Sequence, residues 1–149
     1  MPSSATAPSA DWLALDQQLC FALYSASLAM TKRYKPLLEP LGLTYPQYLA
    51  MLVLWETPSV SVNELGKRLG LDSGTLTPLL KRLDAAGLIV RRRDRADERR
   101  VLIELTAAGR ALKDQAQPIP QAAVCQLGME MDEISALRES LQNLKNKIR

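Results

Sequence analysis

One cysteine and three tyrosines carry the chemistry open to this chain. Cys20 sits in Leu19-Cys20-Phe21-Ala22-Leu23-Tyr24, and tyrosines stand at Tyr24, Tyr34 and Tyr45. A cysteine on an apolar helix face is ordinarily a small packing residue; hydroxyls or positive charge nearby make it reactive. Phenolic hydroxyls donating to the sulfur would favour the thiolate and hold a hydroperoxide, or the sulfenic acid formed after attack. Taken singly, each tyrosine reads equally as amphipathic packing with its hydroxyl in solvent.

Helix arithmetic restricts which of them can serve. Tyr24 is one turn from Cys20 and can approach it within the same chain. Tyr34 is fourteen residues on, about 21 Å along a straight helix and nearly on the same face, so it cannot touch that sulfur. An antiparallel partner helix could bring it there, with Tyr45 at the opening of the next helix beside it.

Composition removes competing chemistries. The chain has 149 residues, 47% of them hydrophobic, two cysteines and no histidine. That suits one globular domain and excludes Ser/His and Cys/His nucleophilic pairs. Two cysteines alone cannot fill a tetrahedral zinc shell, so neither a metal nor another cofactor is expected. No apolar run reaches the roughly 18 residues of a membrane span, and residues 1–10 read as a disordered tail without the features of a signal peptide. A cytoplasmic setting follows, where thiols 105 positions apart suit transient redox chemistry or burial better than a permanent disulfide.

The elements that must position these groups are mainly helical. An apolar helix starts near Asp11 or Asp16 and is ended by Pro36 and Pro40; its apolar residues are too dense for one buried stripe, which implies a second partner surface. Thr44-Tyr45-Pro46-Gln47 and Ser61-Val62-Asn63-Glu64 are capping boxes that open two further helices. Gly70 stops the second of these, and another helix starts around Asp72 to Thr75, with Pro78 placed in its first turn, and runs to Gly87. Leu88-Ile89-Val90 and Val101 to Leu105 read as the strands of a hairpin, with Arg91 to Arg100 as its loop. Thr106 caps the next helix, Pro118 and Pro120 interrupt it, and residues 121–148 are helical with a possible break near Gly128.

Two capped helices, a tight turn and a two-stranded hairpin are the order of a winged helix-turn-helix. The second helix fits a DNA major groove, and its small hydroxylated start allows close approach: Ser73, Gly74, Thr75 and Thr77 face bases or phosphates, while Lys81 and Arg82 add phosphate-directed charge. The loop decapeptide holds six arginines and three acids, a net +3, which leaves the rest of the chain formally neutral. Arg95 and Arg99 at a hairpin tip suit the narrow, negative minor groove, and acids such as Asp97 can orient guanidinium groups there. Residues 61–106 therefore form the DNA-binding unit, and residues 11–40 and 107–149 are the candidate dimerisation helices. A two-fold homodimer would read a pseudo-palindromic operator.

Residues 61–106 resemble the MarR family of winged-helix transcription regulators, whose wing pairs an aspartate with an arginine two positions on, as Asp97 and Arg99 do. From about Asp16 onward the chain looks like the organic hydroperoxide resistance regulators, OhrR, a thiol-based branch of that family. Gln18 to Tyr24 and Leu71 to Leu80 carry this match. The resemblance implies that Arg99 enters the minor groove and that Asp97 braces the wing. It also implies that Tyr34 and Tyr45 bind the sulfur of the opposite subunit. Cys125 falls where two-cysteine members carry a resolving thiol, so Cys20 would attack an organic hydroperoxide and its sulfenic acid would condense with Cys125 of the other subunit. The implied function is a peroxide-sensing repressor that leaves its operator on oxidation. The rival readings are a MarR-type regulator controlled by a small non-covalent ligand and, further off, a thiol peroxidase.

Overall fold

The computed structural model describes residues 12–148; the expected tail at residues 1–10, and Asp11 as a helix start, lie outside them. The first helix, α1, spans Leu19–Leu38. It begins two residues later than an Asp16 cap would place it. Asp16 instead lies in a 3-10 turn, Leu15–Gln17, and Gln18 holds the N-cap position without a side-chain cap bond. The Gln18 amide is spent elsewhere: Nε2 donates to the Trp12 and Ala14 carbonyls at 2.6 and 3.0 Å, folding residues 12–18 into a hook ahead of the helix. Cys20 therefore occupies the first turn. Pro36 does not end α1; it sits in the last turn, where the chain continues to the buried Leu38 before a 3-10 turn at Glu39–Leu41 and left-handed Gly42.

Both capping boxes form. Thr44 opens α2, Tyr45–Glu56, and Ser61 opens α3, Val62–Leu69, each with reciprocal bonds to the third helical residue. Gly70, at φ 69°, ends α3 in the left-handed conformation that glycine adopts without steric cost. Asp72 then caps α4, Ser73–Ala85, accepting from the Thr75 amide at 2.8 Å. Pro78 is the sixth residue of α4, not part of its first turn. Buried Leu76, Leu79, Leu80 and Leu83 hold that helix to the core and outweigh the lost backbone bond.

The hairpin is longer than its apolar residues alone suggest. Strand β2 covers Ile89–Arg93 and β3 covers Val101–Leu105, so Leu88 lies outside the strand and the first three arginines belong to it. Arg92 pairs with Glu104 at 3.0 Å across the ladder, supplying the cross-strand attraction that a purely apolar pattern misses. A third strand, β1 at Ser59–Ser61, pairs antiparallel with β3 to give the order β1-β3-β2. Three residues after a proline carry no periodic signal, which is why the sequence pattern did not reveal β1.

Thr106 caps α5, Ala107–Ala116. The region after the prolines divides into α6, Ile119–Val124, and α7, Met131–Lys147, with residues 125–130 outside both, Gly128 among them at φ 71°. The core lies under α2, α4 and the sheet, centred on Leu54, Leu65, Leu80, Leu83, Ile89 and Ile103. By contrast α7 has no buried residue, and Leu15, Leu19, Tyr24, Leu28, Met131, Leu137 and Leu141 are exposed. Apolar surface on this scale at both ends is what a second chain would cover.

One glycine ties the two halves together. The carbonyl of Gly109 accepts from Trp55 Nε1 at 2.9 Å, and a Cβ built at Gly109 would collide with the Leu88 carbonyl oxygen. Gly109→Ala is expected to destabilise the fold by about 1 to 3 kcal/mol through forced separation of α5 from the strand start. Chemical denaturation measures it; a midpoint unchanged from the wild type would mean that this approach is not constrained.

Candidate sensor and DNA-binding sites

Cys20 and Cys125 are both free and exposed. Cys20 lies in the first turn of α1 with Tyr24 one turn on, itself 63% exposed. The straight run of α1 to Leu38 leaves Tyr34 at the far end, about 21 Å away. These two parts of the expected site do not meet within one chain.

Tyr34 and Tyr45 do meet. Their ring centroids are 4.8 Å apart, and both pack against Tyr48, at 5.7 and 6.1 Å. Tyr48 was not singled out by sequence. Its signal was present as the i, i+3 relation to Tyr45, but only the packing of α1 on α2 makes a triad of it. Burial raises the pKa of Tyr34, and burial followed by the neighbouring Tyr34 raises that of Tyr45. Tyr48 is pushed up to about 12, by burial first and then by Tyr34 and Tyr45. All three phenols therefore keep their protons, and remain donors, well above neutral pH.

The sign of the linkage follows. A neutral group with a raised folded-state pKa stabilises fully below the unfolded value and loses that contribution as pH rises through the folded one. The protein is expected to lose stability from about pH 10 to about pH 12, and Tyr48→Phe to flatten that loss. Unfolding midpoints measured across this range check it; identical slopes for the two proteins would remove Tyr48 as the titrating group.

Cys125 is the C-cap of α6, its thiol directed at the Ala122 carbonyl at 3.4 Å. Helix α6 packs on α1, and Arg33 Nε donates to the Ala123 carbonyl at 3.0 Å. Arg33 precedes Tyr34, so Cys125 is tethered to the tyrosine end of α1, not to the Cys20 end. Nothing in the sequence marked Arg33 among its basic neighbours for this anchoring.

Helix α4 presents Ser73, Gly74, Thr75, Thr77, Lys81 and Arg82 to solvent, opposite its buried leucines. The Asp72 carboxyl is held below its usual range chiefly by the Thr75 amide, so the cap stays ionised. In the wing the six arginines separate into two groups. Arg91 pairs with Asp84 at 3.4 Å, Arg92 with Glu104, and Arg100 with Glu64 and Asp94 at 3.3 and 3.5 Å; Arg93 donates to the Glu98 carbonyl at 2.8 Å. These four brace the hairpin.

Arg95 and Arg99 project. Arg95 makes no ion pair among the described residues, and the Arg99 side chain is 91% exposed. Asp97 accepts both the backbone amide and the Nε of Arg99 through one oxygen, at 3.1 and 3.2 Å, and these bonds hold its carboxyl below the usual range. The bracing aspartate and the projecting arginine expected from sequence are thus together. Thr77 and Arg99 also line one recess between α4 and the wing, with Asn63 beside them.

Among the described residues no group of three or more acids, histidines or cysteines could hold a metal ion, and no helix is long and apolar enough to cross a membrane.

Comparison with known proteins matches residues 32–116 to the family described as transcriptional regulator SarA/Rot. The HTH-type transcriptional regulator TtmR of Methylorubrum extorquens is 52% identical over 134 residues, covering 90% of this chain and 69% of that one. The organic hydroperoxide resistance transcriptional regulator of Bacillus subtilis is 48% identical over 134 residues, covering 90% and 91%. Among solved structures, reduced AbfR bound to DNA, from Staphylococcus epidermidis, superposes with a TM-score of 0.80 at 36% identity, covering 93% of this chain and 98% of that one. Disulfide-formed AbfR superposes less closely, with a TM-score of 0.63 at 33% identity over 91% and 95%.

Proposed function

The chain belongs to the organic hydroperoxide resistance branch of the MarR family of winged-helix transcription regulators, and from that premise we propose that it is a repressor whose reduced homodimer holds operator DNA in the cytoplasm and releases it when an organic hydroperoxide oxidises Cys20. That it is a DNA-binding regulator follows from the family; the sensing chemistry is our reading of its residues. The observation that carries it is the division of α1. Cys20 and Tyr24 stand at one end, while Tyr34, Tyr45, Tyr48 and Cys125 gather at the other.

An antiparallel partner brings the two ends together twice per dimer. The Cys20 thiolate then attacks the outer oxygen of the hydroperoxide: an S–O bond forms, the O–O bond breaks, and the alkoxide leaves as the alcohol after taking a proton. Tyr34 and Tyr45 of the facing chain, protonated throughout the neutral range, donate to the developing oxyanion and then to the sulfenic acid. The Cys125 thiol of that same facing chain attacks the sulfenic sulfur; the S–S bond forms and water leaves. One turnover per site is a switch, not sustained catalysis.

Reading of the operator falls to α4 and the wing. Ser73, Gly74, Thr75 and Thr77 approach base edges and phosphates, Lys81 and Arg82 contact the backbone, and Arg95 and Arg99 enter the flanking minor groove. In this reading closure of the disulfide acts through Cys125 on α6, which packs on α1, and so alters the separation of the two winged units. The closer superposition on reduced, DNA-bound AbfR than on its disulfide form supports assigning the present geometry to the DNA-holding state. Wild-type protein treated with stoichiometric alkyl hydroperoxide should lose operator binding in a mobility shift and run as a covalent dimer on a non-reducing gel. Loss of binding on adding a small aromatic effector, with thiols still free, would favour the non-covalent rival.

A further inference from the structure

The hook ahead of α1 is built to be covered. Trp12, Leu13 and Leu15 are 74%, 96% and 58% exposed, although two bonds from Gln18 hold their backbone in a defined turn. A free tail has no reason to fix its backbone while turning three large apolar side chains to water. At the opposite end of α1 an apolar groove runs between that helix and the start of α2, floored by Leu38 and Leu43 and walled by Lys35, Glu39, Gly42 and Tyr45.

The geometry points to the hook of one chain, residues 12–19, seating in this groove of a second copy and closing the sensor site over Tyr45. The inference rests on the shared site proposed above, in which Cys20 of one chain meets Tyr34 of the other. Along antiparallel helices, residues at the same level have numbers with a constant sum, and Cys20 opposite Tyr34 fixes that sum at 54. Leu19 then falls level with Lys35, Leu15 with Glu39, and Trp12 with Gly42, all three of them groove residues. Both aligned stretches pass through a 3-10 turn, Leu15–Gln17 in the hook and Glu39–Leu41 beside the groove, so these levels are set to about one turn. The hook would supply apolar wall to the peroxide pocket, favouring alkyl over small polar peroxides.

Site-directed cross-linking of the full-length dimer tests it. In a Cys20→Ser/Cys125→Ser background, Leu15→Cys combined with Glu39→Cys, treated with a short bis-maleimide, should move mostly as a covalent dimer. Each single variant, and Leu15→Cys combined with Asn63→Cys on exposed α3, should not. A parallel arm pairs native Cys20 with Tyr34→Cys in Cys125→Ser. If this pair links while Leu15→Cys with Glu39→Cys does not, the docking is wrong and the shared sensor site stands. If neither pair links, both fail.

Discussion

Cys20→Ser is expected to bind operator as tightly as the wild type and to ignore organic hydroperoxide. In the wild type, oxidation should cost about 3 to 4 kcal/mol of operator affinity, a few hundred-fold, and the serine variant should lose that entire response. The reason is positional. Cys20 is an exposed residue in the first turn of α1 and belongs to neither α4 nor the wing, so the hydroxyl replaces a sulfur outside the proposed DNA-binding elements and the buried core. Cys125→Ser separates the steps: its Cys20 should still be oxidised, but no S–S bond should form, and it should stop at the sulfenic acid or the products of that acid. Mobility shifts paired with intact-mass measurements distinguish these cases. Operator release by Cys20→Ser on oxidation would remove Cys20 from the switch.

The double variant Arg95→Ala/Arg99→Ala is the second large effect. Each minor-groove arginine is worth about 1 to 3 kcal/mol, so removing both should weaken operator binding by about 2 to 6 kcal/mol and reduce the salt dependence by roughly two phosphate equivalents. Arg95 makes no ion pair among the described residues and Arg99, paired with Asp97 at the tip itself, keeps a 91% exposed side chain, whereas the other four arginines are held by Asp84, Glu104, Glu64, Asp94 and the Glu98 carbonyl. Alanine at Arg91 or Arg92 should instead loosen the hairpin and change affinity less. Binding isotherms at several salt concentrations decide; unchanged affinity for the double variant would take the wing tip out of the interface.

What the sequence made legible was local. Capping boxes at Thr44 and Ser61, the Asp72 cap, the glycine stops and the Asp97–Arg99 brace all act within about a turn of chain, and each formed as its residues dictate. The misses share a physical cause. Strand β1 exists only because β3 pairs with it, and Pro36 stays helical where the buried Leu38 anchors the turn beyond it. Tyr48 joins the tyrosines only once α2 packs on α1, and Arg33 reaches Ala123 across ninety positions of sequence. Contacts of that range leave no spacing signature. The separation of Tyr34 from Cys20 within one chain, on which the proposed division of the sensor between two chains rests, was an exception: it followed from counting residues along one helix, because a helix cannot bend Tyr34 back to Cys20.

That division is the central claim, and a mixed dimer tests it most directly. Cys20→Ser and Cys125→Ser chains, differently tagged and co-expressed, place one intact Cys20 and one intact Cys125 on opposite subunits. After organic hydroperoxide, the mixed dimer should carry a single intersubunit disulfide and release operator, while neither variant alone forms a Cys20–Cys125 bond. A mixed dimer that forms no disulfide, alongside wild-type chains oxidised to intrachain disulfides that run as monomers, would contradict the account.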